Sequence, residues 1–148
     1  MSKIYKRPIA AATMCYVVQE GNLPSHSSVL LVKRNSTSKV YPNYWCFPGG
    51  FLEVEKETLE ECASREMLEE TNIAVDCKKW NLLDVQSGPN DDPRGHMINV
   101  AYYIWTNKFP QNVIASDDVC EYKWVSVHKL SEYNLAFKHN DLALKLLK

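Results

Sequence analysis

The most constraining feature of the sequence is a short acidic segment whose two ends both carry the marks of helix ends. Thr58 and Glu61 form a T-x-x-E capping box, in which the hydroxyl and the carboxylate each satisfy a backbone N–H group at the start of a helix. Asn72 stands at the other end, and asparagine is one of the few residues that tolerate the left-handed conformation with which many helices end. The segment therefore predicts a helix over Leu59–Thr71.

The glutamates of this helix lie at unusual positions around its axis. At about 100° per residue, one stripe of the helix collects its apolar side chains: Leu59, Cys62, Ala63 and Met67. Glu66 and Glu70 fall within that stripe, and Glu69 lies at its edge. Because an unpaired buried charge costs several kcal/mol, and because carboxylates at i and i+4 repel each other, these glutamates need a cationic partner.

Two interpretations of the glutamates compete. Glutamate-rich helices commonly present a solvated face, but here the glutamates lie beside the apolar stripe and not opposite it. Arg65 can pair with Glu69 at i+4, yet one arginine cannot neutralise three carboxylates. A hard divalent cation fits better, since Mg²⁺ takes oxygen ligands from one or two carboxylates, substrate phosphates and water.

The segment before the helix supports a metal site. Phe47–Phe51 reads F-P-G-G-F and predicts the end of a strand followed by a sharp turn, in which the two glycines allow close approach of another backbone or a ligand. Glu53, Glu55 and Glu57 follow it. Loop and helix together therefore form a unit that gathers carboxylates.

The rest of the chain predicts an α+β fold in a single domain over residues 1–148. Six apolar runs predict strands: Ile9–Val18, Val29–Val32, Trp45–Phe47, Trp80–Gln86, Met97–Trp105 and Tyr122–Val127. A second helix is expected over His139–Leu147, and a short helical turn over His128–Tyr133. This order of elements predicts a mixed sheet covered by helices.

Composition excludes several classes of function. With 17 basic and 18 acidic residues, the net charge of −1 provides no basic field for general nucleic-acid binding. The apolar-rich stretch Ile9–Val18 falls short of the roughly 18 residues of a membrane span, so no membrane partner is expected. The five cysteines are odd in number and widely spaced, without a C-x-x-C motif. They indicate reduced thiols in the cytoplasm and disfavour zinc.

In this acidic unit the sequence resembles the Nudix hydrolases, whose signature is G-x5-E-x7-R-E-U-x-E-E-x-G-U, with U a bulky aliphatic residue. Arg65–Ile73 (REMLEETNI) matches its second half, except that Asn72 replaces the last glycine, and Glu57 lies at the expected distance before Arg65. Six residues separate Gly50 from Glu57 where the signature has five, a one-residue insertion in the loop. Further segments resemble the ADP-ribose-pyrophosphatase-like branch: Leu30–Arg34, Tyr44–Phe51, Asp92–His96, Val100–Tyr103, Glu121–Val125 and Leu135–His139.

The resemblance implies an α/β/α sandwich with a mixed sheet, and it implies roles for residues of the acidic unit. Metal ligands would be Gly50 through its carbonyl, together with Glu66, Glu69 and Glu70. Arg65 and Glu57 would complete the catalytic group, Arg65 by orienting a carboxylate. Glu69 is one candidate for the general base; the others lie outside the signature and are Glu121, Asp117 and Asp118. Mg²⁺ is the expected cofactor, and Mn²⁺ could substitute for it.

The resemblance also implies the substrate class, a nucleoside diphosphate linked to a second moiety. ADP-ribose, cleaved to AMP and ribose 5-phosphate, is the first expectation. The alternatives are nucleoside triphosphates, dinucleoside polyphosphates, FAD or NADH, and a non-catalytic nucleotide-sensing module. Arg34 and Arg94 are candidates for phosphate contact. An adenine ring could stack on one of four aromatic residues: Tyr5, Trp45, Tyr102 or Tyr103. Family analogy suggests a homodimer.

Overall fold

The structure, a computed structural model, describes residues 6–22 and 26–147. Seven strands form one sheet: β1 Ile9–Gln19, β2 Ser27–Arg34, β3 Trp45–Cys46, β4 Gly49–Phe51, β5 Asn81–Gln86, β6 Met97–Thr106 and β7 Val119–Ser126. Two α-helices accompany them: α1 Leu59–Thr71 and α2 His139–Leu146. Three short 3-10 segments complete the description: Cys77–Lys79, Val127–Glu132 and Ala136–Lys138.

β1 organises the sheet because it pairs on both edges. One edge runs parallel to β6, from Ile9 opposite Met97 to Val18 opposite Thr106. The other edge is shared by two antiparallel partners, β4 along its first half and β2 along its second. β2 pairs further with β3 and β7, and β6 pairs with β5. The sheet is therefore mixed, as predicted.

Alternating side chains of the central strands supply a core on each face of the sheet. Met14 and Leu30 point into a cluster with Met67 of α1. Their neighbours in sequence, Cys15 and Leu31, point into the opposite cluster, which packs against α2. This period of two confirms the helix–sheet–helix layering expected for the chain.

Most predicted elements agree with the structure within a few residues, and α1 has the predicted bounds. The predicted second helix ends one residue earlier, at Leu146, and the seventh strand begins at Val119 rather than at Tyr122. The prediction of a sharp turn at Gly49–Gly50 is wrong, because these residues form strand β4. A Cβ atom at Gly49 would lie only 2.6 Å from the Ala12 carbonyl oxygen, so a glycine is needed for β4 to pair with β1 at this distance.

A buried histidine ties α2 to the strand region of the site. His139 is 4% exposed, and its Nδ1 accepts a 3.0 Å hydrogen bond from the Phe47 backbone N–H group. Burial, followed by the nearby charge of Arg34, lowers the pKa of His139 to about 3. Below the ordinary pKa of 6.5 the unfolded chain therefore binds a proton that the folded chain does not.

We expect this histidine to make the protein sensitive to acid. The stability that depends on neutral His139 is fully present above pH 6.5 and falls by about 1 kcal/mol for each pH unit below it, down toward pH 3. Denaturant unfolding between pH 7 and 4 measures the slope. His139→Asn retains an acceptor for Phe47 and should flatten the slope, whereas His128→Asn, at an exposed histidine, should not. Equal slopes in all three proteins would contradict the assignment.

Candidate metal and phosphate site

The predicted ends of α1 are confirmed in atomic detail. The Glu61 N–H group donates to Thr58 Oγ1 over 3.1 Å, and the Thr58 N–H group donates to Glu61 Oε1 over 2.9 Å. Asn72 takes the left-handed conformation with φ 63°, and its N–H group donates to the Leu68 carbonyl. A helix bounded at both ends by its own residues holds its glutamates at defined angles around the axis.

Those angles bury two of the three glutamates. Glu70 is 4% exposed, and the Glu66 side chain is 12% exposed, so both lie inside the protein as the helical phase predicts. The Glu69 side chain, at the edge of the stripe, is 44% exposed. The carboxylates thus form a group that runs from the protein interior to the surface.

The paired glycines bring β4 into contact with these carboxylates. The Gly49 N–H group donates to Glu70 Oε1 over 2.9 Å. A Cβ atom at Gly50 would collide with the Glu66 carboxylate, so only glycine lets the β4 backbone lie this close to it. The two glycines therefore serve two contacts, one with the β1 backbone and one with the acidic group.

The one-residue insertion before α1 is absorbed locally. Glu53 and Lys56 close a turn through a 3.2 Å backbone hydrogen bond, with Glu55 in the left-handed region at φ 68°. Glu57, on the far side of this turn, still reaches Arg65 through two hydrogen bonds of 2.8 Å. The insertion therefore changes the loop and leaves the Glu57–Arg65 contact in place.

Arg65 connects the loop to the acidic group. Besides Glu57, its guanidinium donates to Glu66 over 2.8 Å, to Glu69 over 3.3 Å and to the Phe51 carbonyl over 3.1 Å. The predicted Arg65–Glu69 pair is thus present, but it is longer than the contacts with Glu57 and Glu66 and shorter than the 3.8 Å contact with Glu53. The hydrogen bonds from Arg65 outweigh burial and lower the pKa of Glu57 to about 2. Arg65 therefore holds the Glu57 carboxylate charged and orients Glu66 and Glu69.

Replacing Arg65 by lysine tests how much activity and stability depend on the hydrogen bonds of its guanidinium group. Lysine keeps the charge but cannot reproduce the planar fork of donors, so we expect kcat to fall at least tenfold and the free energy of unfolding to fall by about 2 kcal/mol. Steady-state assays and urea unfolding measure the two effects. Arg7→Lys, at an exposed arginine, is the matched control. A fully active Arg65→Lys protein would contradict the positioning role.

The loop before β7 adds two aspartates to the site. It binds the open end of α1, where the Ser116 N–H group donates to the Glu70 carbonyl over 3.0 Å and the Ser116 hydroxyl donates to the Glu69 carbonyl. This anchorage places Asp117 and Asp118, next in the chain, beside the acidic group. Oxygen atoms of Glu66, Glu69 and Asp117 lie within 4.8 Å of one another.

The electrostatics of this group fit a bound cation. Burial, followed by repulsion from Glu69 and Asp117, raises the pKa of Glu66 to about 7, even though Arg65 opposes the shift. Burial also raises the pKa of Glu70 well above its usual range, and the charges of Glu66 and both aspartates add to the effect. Carboxylates that are costly to ionise together, and that offer only oxygen ligands, match a hard divalent cation.

A cavity of about 410 Å³ adjoins these carboxylates. Its acidic end is lined by five charged or glycine residues: Gly49, Gly50, Glu66, Glu70 and Asp118. Arg34 and Arg94, the two predicted phosphate contacts, line it as well, together with polar side chains of the sheet floor. The cavity therefore brings three of the four predicted metal ligands (Gly50, Glu66 and Glu70) into one space with both predicted phosphate contacts, whereas Glu69 is not part of its lining.

The two arginines are held by aromatic rings. The guanidinium carbon of Arg34 lies 4.8 Å from the centre of the Phe137 ring, and that of Arg94 lies 5.3 Å from the same ring and 4.5 Å from Phe51. Phe137 adopts a left-handed backbone conformation, φ 56°, which is costly for such a residue. Arg94 is also paired with Asp92, through hydrogen bonds of 2.9 and 3.0 Å.

Some predicted residues lie away from the cavity. Glu121, a candidate base, has a side chain 58% exposed and pairs with Lys33 at 3.5 Å on the sheet surface. Of the aromatic candidates, Tyr5 lies outside the described residues, and Trp45, Tyr102 and Tyr103 are not part of the cavity wall. Phe51 and Phe137 line the cavity instead.

Several residues that line the cavity were not predicted as site residues, although the sequence indicated some of them. Thr13, Asn99 and Gln86 line the cavity floor. Thr13 and Asn99 are polar residues within largely apolar strands, whereas the strand of Gln86 also carries Asn81 and Asp84. Phe137 and Asp92 lie in two segments that resemble the ADP-ribose-pyrophosphatase-like branch, but that resemblance indicated no role for either residue. Phe137 meets Arg34 only in the folded chain, whereas Asp92 pairs with Arg94, two residues further along the chain.

Comparison with known proteins identifies relatives of the chain. The family model of the NUDIX domain matches residues 8–146. An ADP-ribose pyrophosphatase of Methanocaldococcus jannaschii is 34% identical over 128 residues, covering 85% of this chain and 69% of the relative. The ADPR responsive transcriptional repressor NtrR of Acinetobacter baylyi is 32% identical over 143 residues, covering 93% of this chain, which spans about half (52%) of that protein.

A solved structure has the same fold. The crystal structure of a MutT/nudix family protein from Enterococcus faecalis superimposes with a TM-score of 0.81 at 25% sequence identity. The superposition covers 98% of this chain and 62% of that one.

Proposed function

This chain belongs to the NUDIX domain family of pyrophosphohydrolases, and on that premise we propose that it hydrolyses the diphosphate of ADP-ribose, releasing AMP and ribose 5-phosphate. The observation that carries the proposal is the pair of buried carboxylates, Glu66 and Glu70, packed against the Gly49–Gly50 backbone at one end of a cavity that also holds two arginines. The identity to an ADP-ribose pyrophosphatase over most of the chain supports the choice of substrate.

The chain offers a complete set of groups for binding a cation. Glu66, Glu69 and Glu70, with the Gly50 carbonyl and Asp117, would hold a divalent cation, for which we propose Mg²⁺. When bound, the cation would supply neutralising charge for the diphosphate and lower the pKa of a water ligand. Hydrolysis of a diphosphate needs both the neutralising charge and the activated water, since negative charge is distributed over the phosphoryl oxygens in the transition state.

The remaining groups position the substrate and accept the proton. Arg34 and Arg94 would contact phosphate oxygens, and the aromatic rings beside them limit the freedom of their guanidinium groups. Glu69 would accept the proton of the attacking water, because its carboxylate reaches solvent within the acidic group and is held by Arg65. Glu121 is a weaker candidate because its side chain pairs with Lys33 outside the cavity.

Product analysis tests this function directly. The purified chain is incubated with ADP-ribose and Mg²⁺, and the products are separated by chromatography. We expect AMP and ribose 5-phosphate in equal amounts. Nucleoside triphosphates, dinucleoside polyphosphates, FAD and NADH are assayed in parallel. If one of these compounds had a higher kcat/KM than ADP-ribose, that compound would be the preferred substrate and the proposal for ADP-ribose would be wrong.

A nucleotide-sensing role is the second candidate, because one relative is an ADPR responsive repressor. A sensor binds its nucleotide without hydrolysing it. Such a protein would have no need for the buried carboxylates that we propose to hold a catalytic cation. Tight binding of ADP-ribose without product formation would favour the sensor over the hydrolase.

Compartment and assembly stay predictions. All five cysteines are free, and Cys15, Cys46 and Cys62 are buried, which suits the reducing cytoplasm. Among the described residues, no helix has the length and apolar character needed to cross a bilayer. The homodimer suggested by family analogy can be tested by light scattering.

A further inference from the structure

Three polar side chains form a hydrogen-bonded ladder across the floor of the cavity. The Thr13 hydroxyl on β1 donates to Asn99 Oδ1 on β6 over 2.8 Å. Asn99 Nδ2 donates to Gln86 Oε1 on β5 over 3.3 Å, and Gln86 Nε2 donates to the Lys138 carbonyl over 3.2 Å. The ladder therefore crosses three neighbouring strands and ends at the segment before α2.

The Lys138 end determines which atoms of the ladder donate and which accept. The Lys138 carbonyl can only accept a hydrogen bond, so Gln86 must present its amide nitrogen there and its oxygen to Asn99. Asn99 must then present its nitrogen to Gln86 and its oxygen to Thr13. Lys138 itself is held in the left-handed region at φ 59° and pairs with Asp91 at 2.8 Å. Neighbouring structure thus fixes which atoms of the ladder remain free.

The ladder keeps unused hydrogen-bonding capacity at the wall of the cavity. Each amide nitrogen uses one of its two hydrogens in the ladder, and the Thr13 oxygen keeps its lone pairs. All three side chains line the cavity, although Thr13 is 4% exposed. Polar groups in a cleft of this kind bind best a ligand that offers both donors and acceptors.

The ladder begins at the acidic end and leads away from it. The Thr13 hydroxyl lies 3.4 Å from the position that a Cβ atom would take at Gly49, whose N–H group bonds Glu70. A diphosphate held at the acidic group would therefore place the moiety that follows it over Asn99 and Gln86.

The chemistry of this floor suits a sugar better than a base. Sugar hydroxyls both donate and accept, and so match the free amide hydrogens and the threonine oxygen. A base would need an open aromatic face, but Phe137, the aromatic ring nearest the Lys138 end, already contacts Arg34, Arg94, Tyr41 and His139.

We propose that the Thr13–Asn99–Gln86 ladder is a sugar-binding subsite that selects substrates carrying a pentose hydroxyl group beyond the diphosphate. The inference deepens the proposed hydrolysis and rests on it for the identity of the diphosphate. A site built to bind hydroxyl groups discriminates strongly against an analogue that lacks them, because its own polar groups are then left without partners.

The test compares two compounds that share the ADP portion: ADP-ribose and the methyl ester of ADP. For the wild-type chain we expect kcat/KM to favour ADP-ribose at least tenfold. Asn99→Leu and Gln86→Leu, which replace amides by apolar side chains of similar size, should each reduce this ratio at least fivefold. Gln86→Glu, of the same shape, gives a second variant that breaks the bond to Lys138. Asn81→Leu on β5, whose side chain is exposed, should retain the wild-type ratio.

Calorimetric binding of the same two compounds in the presence of Mg²⁺, measured if neither compound is cleaved, separates this inference from the proposed function. Hydrolysis of both compounds with equal kcat/KM in the wild-type chain would overturn the subsite and leave the hydrolase. Ratios unchanged in all ladder variants would also overturn it. A chain that cleaves neither compound, but binds ADP-ribose more tightly and loses that preference in Asn99→Leu, would overturn the hydrolase and support the subsite. Equal binding without cleavage would overturn both.

Discussion

Glu70→Gln should reduce kcat by at least about 100-fold, a loss of about 2.7 kcal/mol of transition-state stabilisation. The amide can still accept the hydrogen bond from the Gly49 N–H group, which lies 2.9 Å from the carboxylate, so we expect the fold to be retained. What disappears is a negative charge at the inner end of the proposed metal site. Steady-state assays with ADP-ribose and Mg²⁺ measure the loss.

The same substitution should have the opposite effect on the stability of the metal-free protein. Burial raises the pKa of Glu70, so the contribution of this group is most favourable below its ordinary pKa of 4.5 and is lost as the pH rises through the folded-state pKa. Glutamine does not titrate. In EDTA at pH 8 we therefore expect Glu70→Gln to be more stable than the wild type by about 1 to 2 kcal/mol.

A matched control lies on the same helix. Glu60→Gln, at an exposed glutamate whose acceptor oxygen faces the Tyr102 hydroxyl at 3.2 Å, should change neither kcat nor stability appreciably. If Glu70→Gln turned over substrate at the wild-type rate, the proposed metal-binding role of Glu70 would be wrong. If the variant were much less stable than the wild type in EDTA, the carboxylate would have a structural role instead.

Removing divalent cations should abolish activity, with less than about 1% remaining in EDTA, and Mg²⁺ or Mn²⁺ should restore it. The physical reason is that Glu66, Glu69 and Asp117 bring negative charge within 4.8 Å of one another, where a diphosphate would add more. Without a cation, substrate and site repel each other.

Thermal unfolding gives the same test without substrate. A cation that binds only the folded chain stabilises it by about 2.7 kcal/mol at 100 times its dissociation constant, a rise of several degrees in Tm for a chain of this length. Glu70→Gln should lose most of that rise, whereas Glu60→Gln should keep it. Full activity in chelator would contradict the metal proposal, whatever the unfolding curves show.

Local interactions explain why α1 could be predicted so closely. Its capping box joins residues three apart, and its C-terminal asparagine acts through its own backbone conformation, so neither depends on the rest of the fold. The burial of Glu66 and Glu70 follows from the helical period once the apolar stripe is known. The Glu57–Arg65 pair is of the same kind, because the intervening loop absorbs its extra residue in a local turn.

Long-range contacts explain what could not be predicted. The assignment of Gly49–Phe51 to a strand depends on the β1 backbone, with Thr13 pairing with Gly49 from 36 residues earlier in the chain. The placement of Asp117 beside Glu66 depends on Ser116 binding the open carbonyl end of α1. Neither partner is indicated by the residues next to it in sequence.

The sequence by itself therefore determined which carboxylates face inward, because helix period and capping are local properties of Leu59–Thr71. The tertiary structure alone decided what surrounds them: the β4 backbone, the loop aspartates and the arginines held by Phe137. It also decided that Thr13, Asn99 and Gln86 join into one ladder. The physical reason is that strands distant in sequence become neighbours only when the sheet forms, and hydrogen bonds between their side chains exist only then.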